Sequence, residues 1–493
     1  RSPDRTAAAA HLTVFVKAHP GGRIVWISDG LVHHDDSAFA QALKRAAEAG
    51  GIAHRAAKGA AAPDPTTLAH AHPLTKIGAG VPTAPDVGET ERRARRTEEE
   101  DEEDNTLSLA QMEETLKPQA LERFADLDLV IDGIVGLGSS RSLDGDAALI
   151  ARALDLAEIF TLAIDVPSGV HTDTGAIPGV AIGADVTVTF GALRPAHVIA
   201  PAAVHCGEVL LADIGVEMES ANAAITDPGA WFAPPPAHAD KYSRGVVGIV
   251  TGSAQYPGAA LLSVASALHS GCGMVRCYGP HEELVVQAYP EVVPAPRSAI
   301  DTAHRTQAWV VGCGLGTDDD AAAALAAVLA KDAPAVVDAD ALTLLSMRAP
   351  LRDALAAREG RVTILTPHAG EAARLGSGYG LQLDLVSDRL GSARALADVT
   401  KCVVLLKGPS TLITNGAHFL ATPLLGSQLA TAGSGDVLAG LIGGALARWS
   451  AASPIAIPAA MELAAAAAIR HAAAAAPEDT TASDLVEGLQ QMW

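Results

Sequence analysis

The run TAGSGDVLAG, Thr431 to Gly440, sets Gly433, Ser434 and Gly435 directly ahead of Asp436 and the apolar residues Val437, Leu438 and Ala439. Small, flexible residues followed by an apolar run form a turn that opens a helix. The first backbone N–H groups of a helix have no partner within it and carry the positive end of its dipole, so they attract phosphate oxygens. Asp436 then lies beside a phosphate site. A carboxylate there is unfavourable unless a metal or a substrate proton offsets it, which points to a catalytic use. A glycine C-cap followed by a new helix gives the same local pattern, so this stretch alone leaves both readings open.

Composition narrows the surroundings of that turn. A chain of 493 residues exceeds one hydrophobic core, and roughly two to four domains are expected. With 49% hydrophobic residues and 46 glycines it suits α/β architecture. Acidic residues outnumber basic ones 57 to 35, for a formal charge of −22, and a field of that sign repels nucleic acid. No signal peptide and no run of about 18 apolar residues is present, so neither membrane nor nucleic acid is an expected partner and the cytoplasm is the expected location. The alanine-rich run Ala464 to Ala468 reads as a buried helix. The five cysteines, Cys206, Cys272, Cys277, Cys313 and Cys402, show no CxxC spacing and read as buried thiols.

Toward the N terminus the signal weakens. The chain opens on Arg1, so a preceding piece is expected to be missing. His11 to Val16 reads as a strand and Ser37 to Ala49 as a helix stopped by Gly50 and Gly51. From about residue 59 to 105 a Pro/Ala/Gly/Thr mixture runs into ETERRARRTEEEDEED, which cannot bury a core and reads as a disordered insertion. Strands are then expected from Leu127, from Thr161, at Ala184 to Phe190 and at Val209 to Ile214. The first two end in loops bearing Gly133, Gly136 and Gly138, and Asp165 and Ser168. Ligands of parallel sheets bind beyond the carboxyl ends of strands, so these two loops suggest one site. The proline-rich, aperiodic segment at 226–240 divides the chain into an expected domain at 1–225 and another at 241–493.

The second half alternates strand and helix. Strands at Gly245 to Thr251, Met274 to Tyr278, Trp309 to Val311, Ala335 to Asp338, Val362 to Leu365 and Val403 to Leu406 deliver polar or glycine-rich loops at their carboxyl ends, and Ala259 to Ser270 reads as a helix. Near-continuous apolar strands such as Cys402 to Leu406 fit a sheet covered on both faces, and a doubly wound sheet builds its site from several such loops. Asp338 and Asp340 could form a metal pair, or Asp340 could cap the next helix. Taken alone, His368 reads as a solvated histidine and Lys407 as a strand-end cation.

In order and spacing, KYSRGVVGIVTGSAQYPGAALLS, VGCGLG, VDADAL, LTPHAGE, LLKGPST and TAGSGDVLAG resemble the ADP- or ATP-dependent NAD(P)H-hydrate dehydratases, which share the ribokinase-like fold. From Leu127 to about Leu211, VIDGIVGLGSSR, IDVPSG and TFGALRPAH resemble the NAD(P)H-hydrate epimerase domain, fused ahead of the dehydratase in bacterial repair enzymes. The resemblance implies two doubly wound α/β domains, the first Rossmann-like and apparently incomplete at its N terminus. It implies a nicotinamide substrate that has gained water at C6, whose hydroxyl is phosphorylated from ADP or ATP and then expelled as phosphate. Asp436 matches the base and also touches the substrate. Gly433, Ser434 and Gly435 match the amides that stabilise the transferred phosphoryl group. Lys407, Gly408, Pro409, Ser410 and Thr411 match the loop that holds the adenine nucleotide, with magnesium expected alongside. Ala259, Gly316 and His368 match positions that hold the hydrated dinucleotide. A homo-oligomer is also implied.

For the first domain the resemblance implies an acid/base carboxylate, Asp165, which also contacts substrate. Asp132 and Ser168 match ligands of a potassium ion. Gly136, Leu137, Gly138, Ser139, Ser140, Arg141 and Ser142 match the dinucleotide loop. The family's NNGGDG loop is absent and HLTVFVKAHPGG resembles the family's segment just past that loop, so the chain is expected to start downstream of it. Arg194 stands where the family has lysine; arginine keeps the charge but does not release a proton at neutral pH, so epimerisation is expected to be impaired. A ribokinase-like vitamin or sugar kinase would share GSGD and the nucleotide loop without eliminating phosphate, and a non-catalytic dinucleotide-binding protein would not need Asp436.

Overall fold

The computed structural model describes the backbone of residues 24–28 and residues 127–492 apart from 128, 158, 213, 216–228, 426 and 476–478. The expected strand at His11 to Val16, the helix at Ser37 to Ala49, the insertion at 59–105 and the start of the 226–240 segment lie outside the described residues. The chain divides into two units. The first comprises Arg1–His197 and Pro201–Glu219, the second Val198–Ala200 and Ser220–Trp493.

The first unit holds a five-stranded sheet in the order β1(Ile24–Ser28), β2(Leu129–Gly133), β3(Thr161–Ile164), β4(Val186–Phe190) and β5(Glu208–Ala212). Every pairing is parallel. β1 is not apparent in the sequence. The strands succeed one another across the sheet in chain order among the described residues. β2 and β3 are buried along nearly their whole length, and Val130 packs with Ile150 and Leu154 of the helix Gly145–Ala157. A parallel sheet needs crossover connections, and covered faces make its strands read as unbroken apolar runs.

The second unit is built on nine strands. These are β6(Val246–Val250), β7(Met274–Tyr278), β8(Val293–Ala295), β9(Ala308–Val311), β10(Ala335–Val337), β11(Thr363–Leu365), β12(Val403–Leu406), β13(Leu412–Thr414) and β14(Phe419–Ala421). Their spatial order is β14-β13-β12-β11-β10-β9-β6-β7-β8. The sheet is parallel from β12 to β8, whereas β13 and β14 add an antiparallel hairpin at the edge. Period-2 alternation sends Val403 and Leu405 into one core and Val404 and Leu406 into the other. The first core is closed by the helices Ser434–Trp449 and Ile457–Ala473, whose Ala464 to Ala468 are buried as expected. The second is closed by Asp319–Leu329, Asp340–Met347 and Arg389–Thr400. All five cysteines are free and buried. No helix among the described residues is long and apolar enough to cross a membrane.

The strand order turns back between β6 and β9. Connections leave the two strands toward opposite sides there, and the crevice this opens is where doubly wound sheets hold ligands.

Candidate active site

The GSGD turn lies at the start of the long helix Ser434–Trp449. Gly433 takes φ 87°, a conformation that suits glycine, and a Cβ there would stand 2.6 Å from Leu262 Cδ1. No side chain caps this helix. With glycine at the N-cap, no side chain competes with an anion for its first-turn amides, although the Ser434 N–H also donates to Thr431 O at 3.3 Å. Ser434 is buried, and its backbone is hydrogen-bonded by His471, whose pKa is pushed down to about 4, chiefly by burial. His471 gives no sign in the sequence, because an alanine-rich helix does not announce which of its polar residues turns inward.

Asp436 is half-buried. Burial first, and the neighbouring Asp338 carboxylate second, raise its pKa to about 6, against the opposing influence of the Cys313 thiol and Lys407. Asp338, at the carboxyl end of β10, accepts a hydrogen bond from Lys407 Nζ at 2.8 Å. The same ammonium stands 3.7 Å from Glu371 Oε2 and 3.2 Å from where a Cβ on Gly435 would be. Burial pulls the lysine's pKa down, but the two carboxylates outweigh it and the net shift is upward, so Lys407 stays charged. Cys313 is buried against both Asp338 and Asp436 and held as a thiol. Loops from β9, β10, β11 and β12 thus meet at the start of one helix.

Asp338 and Asp340 hold different partners, though both carboxylates bear on Asp436. Ala339 between them takes φ 51° and occupies the N-cap position. Asp340 is therefore the first helical residue, and its carboxylate accepts the Gly316 N–H at 2.8 Å while Asp338 faces Lys407. This holds the GCGLG loop on the helix Asp340–Met347, and the same loop packs on YPGAA, where a Cβ on Gly314 would lie 2.7 Å from Ala259 Cβ. Gly312, with φ 125°, has no room for a side chain, since its Cβ would meet Asp338 O at 1.9 Å. Gly314, two residues before Gly316, therefore packs on Ala259.

His368 is the N-cap of the helix Ala369–Gly378. Its Nδ1 accepts the Gly370 N–H at 3.0 Å, Glu371 Oε2 accepts the His368 N–H at 2.8 Å, and the ring is 56% exposed. It stands at the rim, with the solvated character expected of it alone. In the KGPST loop Lys407 N–H donates to Pro367 O at 2.9 Å, Gly408 and Pro409 are exposed, and Ser410 and Thr411 are buried. The buried guanidinium of Arg389 donates to Ser410 O at 2.9 Å and Lys407 O at 3.1 Å and so fixes the loop from beneath. Arginine in a helical pattern reads as surface, which hides Arg389 from a sequence reading. A groove of about 1020 Å³ is lined by His281, Glu282, Arg297 and Asp320. Arg297 Nη2 links it to the loops after β6 and β9 by donating to Gly252 O at 2.7 Å and Leu315 O at 3.5 Å.

In the first unit Asp132 is wholly buried at the end of β2. Ser168 N–H donates to its Oδ2 and Ser168 Oγ–H to its Oδ1, both at 2.7 Å. Burial nevertheless raises its pKa to about 6. Asp165 is buried, with Oδ2 2.9 Å from where a Cβ on Gly136 would stand, so the β2 and β3 loops do converge. In the loop beyond β2, Ser139 is buried, Gly138, Ser140 and Arg141 are exposed, and Gly136 and Leu137 are half-buried. The Ser142 hydroxyl is engaged in holding the Val180 N–H at 2.8 Å. The Arg194 side chain is half exposed and lies 3.8 Å from Asp173.

Family models described as NAD(P)H-hydrate dehydratase and YjeF-related protein N-terminus match residues 247–491 and 68–196. The chain is 45% identical over 328 residues to the bifunctional NAD(P)H-hydrate repair enzyme Nnr of Mycobacterium tuberculosis, covering 66% of each chain. It is 40% identical to that of Corynebacterium glutamicum over 65% of this chain and 67% of the relative, and 34% identical to that of Thermosynechococcus vestitus over 68% and 69%. It thus spans about two thirds of the length of these relatives. Among solved structures, an ADP/ATP-dependent NAD(P)H-hydrate dehydratase from Bacillus subtilis co-crystallized with ATP/Mg2+ aligns at 25% identity and TM-score 0.43, over 53% of this chain and 94% of that one. With both family models matched in order and relatives of that identity over that length, the chain belongs to the bifunctional NAD(P)H-hydrate repair enzymes.

Proposed function

We propose that this protein restores hydrated NADH and NADPH. The second unit dehydrates the S hydrate at the expense of ADP or ATP, and the first interconverts the R and S hydrates. The observation that carries the dehydratase reading is the meeting of Asp436, Lys407, Asp338 and Glu371 at an uncapped helix start.

In the second unit the terminal phosphoryl group of the nucleotide rests on the amides of Gly433, Ser434 and Gly435, with Lys407 to Thr411 holding the rest. Asp436 takes the proton of the C6 hydroxyl as its oxygen attacks phosphorus, and AMP or ADP leaves. The C6–O bond then breaks, the ring nitrogen supplying its lone pair and inorganic phosphate departing. Loss of a proton from the neighbouring ring carbon restores the reduced nicotinamide. A raised carboxyl pKa suits a base that works near neutrality. Ala259, Gly316 and His368 border the dinucleotide, and the groove beyond Arg297 is wide enough for its distal half. The bound nucleotide would bring magnesium, a hard cation that would supply positive charge beside the phosphate oxygens.

In the first unit Asp165 is the acid/base group and the loop Gly136 to Ser142 borders the dinucleotide. A buried carboxylate beside a hydroxyl is a hard-oxygen donor set that suits potassium. Asp132 and Ser168 would hold the ion, which when bound supplies positive charge beside the substrate.

Incubating the chain with mixed R and S hydrates and ADP or ATP tests both halves. Complete recovery of reduced dinucleotide, faster than spontaneous epimerisation allows, supports both activities. Recovery of only the S portion removes the epimerase. A stable phosphoester would instead mark a kinase.

A further inference from the structure

Asp165 comes directly after β3 with φ 69°, a left-handed backbone conformation unusual for a residue with a side chain. Two hydrogen bonds fix this turn. The Asp165 N–H donates to Val188 O on β4 at 2.8 Å, and the Asp165 carbonyl oxygen lies 2.7 Å from Nε2 of His197. The imidazole is itself oriented from its far side, where the Arg194 N–H donates to Nδ1 at 2.8 Å. Since Nδ1 accepts, the ring proton resides on Nε2 and is given to Asp165. His197 is 5% exposed. Burial lowers its pKa, the hydrogen bond to Asp165 opposes that shift and the Arg194 charge adds to it, so the ring is neutral.

The carboxylate is confined as well, lying against Gly136 where a Cβ would leave only 2.9 Å. Its direction is therefore set by the backbone. Relaxing φ to the ordinary negative region would swing Cβ and the carboxylate away from the β2 loop.

We propose that His197 is a positioning residue for hydrate epimerisation, its Nε2–H bond to the Asp165 carbonyl locking the left-handed turn that presents the Asp165 carboxylate to the substrate. The proposal rests on the reading of the first unit as an epimerase. The clamp uses the backbone amide of Arg194, so arginine in place of lysine leaves it intact.

The test uses the whole chain with purified R hydrate, nucleotide omitted so that dehydration is silent, and R-to-S conversion corrected for the spontaneous rate. His197→Leu, which removes the donor, lowers kcat about 30-fold with KM within about twofold, the size of effect typical of a lost supporting hydrogen bond. His197→Gln, whose amide places a donor near the Nε2 position, recovers kcat to within about fivefold of wild type. S-hydrate dehydration with ATP stays at the wild-type rate in both variants, which reports on the second unit, while recovery in His197→Gln shows that the first unit still folds. A His197→Leu enzyme with wild-type kcat overturns the proposal. So does a loss in His197→Gln as deep as in His197→Leu, or a change confined to KM. A wild-type chain that does not accelerate R-hydrate conversion refutes the epimerase reading itself, and the proposal with it.

Discussion

Asp436 and Lys407 carry opposite charges in one crowded corner, and their protonation states are set by their neighbours. Burial and the Asp338 carboxylate both disfavour ionised Asp436, raising its pKa to about 6. A base must be ionised to accept a proton, so kcat/KM for S-hydrate dehydration is expected to fall about tenfold per pH unit below pH 6. Asp338→Asn removes a negative charge beside it and favours the ionised form, so the acid limb moves to lower pH. A pH–rate profile of both enzymes checks this, and an unmoved limb would mean that Asp338 does not act on the base. The GSGD aspartate and the strand-end lysine are legible because glycine-rich turns mark them locally. Their pairing with Asp338, a residue the sequence offers only as half of a metal pair, is not, since Asp338 lies 69 residues before Lys407 and only the fold brings them together. Arg389 and His471 are illegible for a different reason, since charged or polar side chains buried beneath loops look like surface residues in a helical pattern.

At the scale of elements, the nucleotide loop depends on what lies under it. Arg389 bonds the carbonyls of Lys407 and Ser410, so Arg389→Met should raise the KM for ADP or ATP about tenfold while changing kcat less. Initial rates over a nucleotide titration decide it. The helix carrying the GSGD turn is seated by its glycines. A Cβ on Gly440 would stand 2.1 Å from Ser263 O, and one on Gly443 2.0 Å from Val310 Cγ2. Gly440→Ala should therefore destabilise the second unit by about 1–3 kcal/mol, seen as a lower denaturation midpoint. The strands Met274–Tyr278, bracketed by Gly273 and Gly279, and Val403–Leu406, an unbroken apolar run, match their expected bounds because those signals define them well. The hairpin of Leu412–Thr414 and Phe419–Ala421 is invisible in the sequence, since three-residue strands offer too little pattern.

At the scale of the whole molecule, two sheets carry two collections of carboxylates, each at the carboxyl ends of its strands. If Asp165 and Asp436 serve separate reactions, Asp165→Asn should abolish R-hydrate conversion and leave S-hydrate dehydration at the wild-type rate. Asp436→Asn should do the reverse. Chromatography of the two hydrates separates these outcomes, and a variant that loses both activities would argue against division of labour. The parallel α/β character can be read from alternating strands and helices. The reversal of strand order between β6 and β9, which fixes where the crevice opens, cannot. Strand order is a property of crossover connections, and local residue patterns do not encode it.

The most direct measurement is recovery of reduced dinucleotide from purified S hydrate and ATP or ADP, with phosphate release monitored in parallel, by the wild-type chain and by Asp436→Ala. Wild type should return one reduced dinucleotide and one phosphate per hydrate, only when nucleotide is present, whereas Asp436→Ala should be slower by about a thousandfold while still binding nucleotide. Full turnover by Asp436→Ala, or a phosphorylated hydrate accumulating without release of phosphate, would contradict the assignment of Asp436 as the base of a dehydratase.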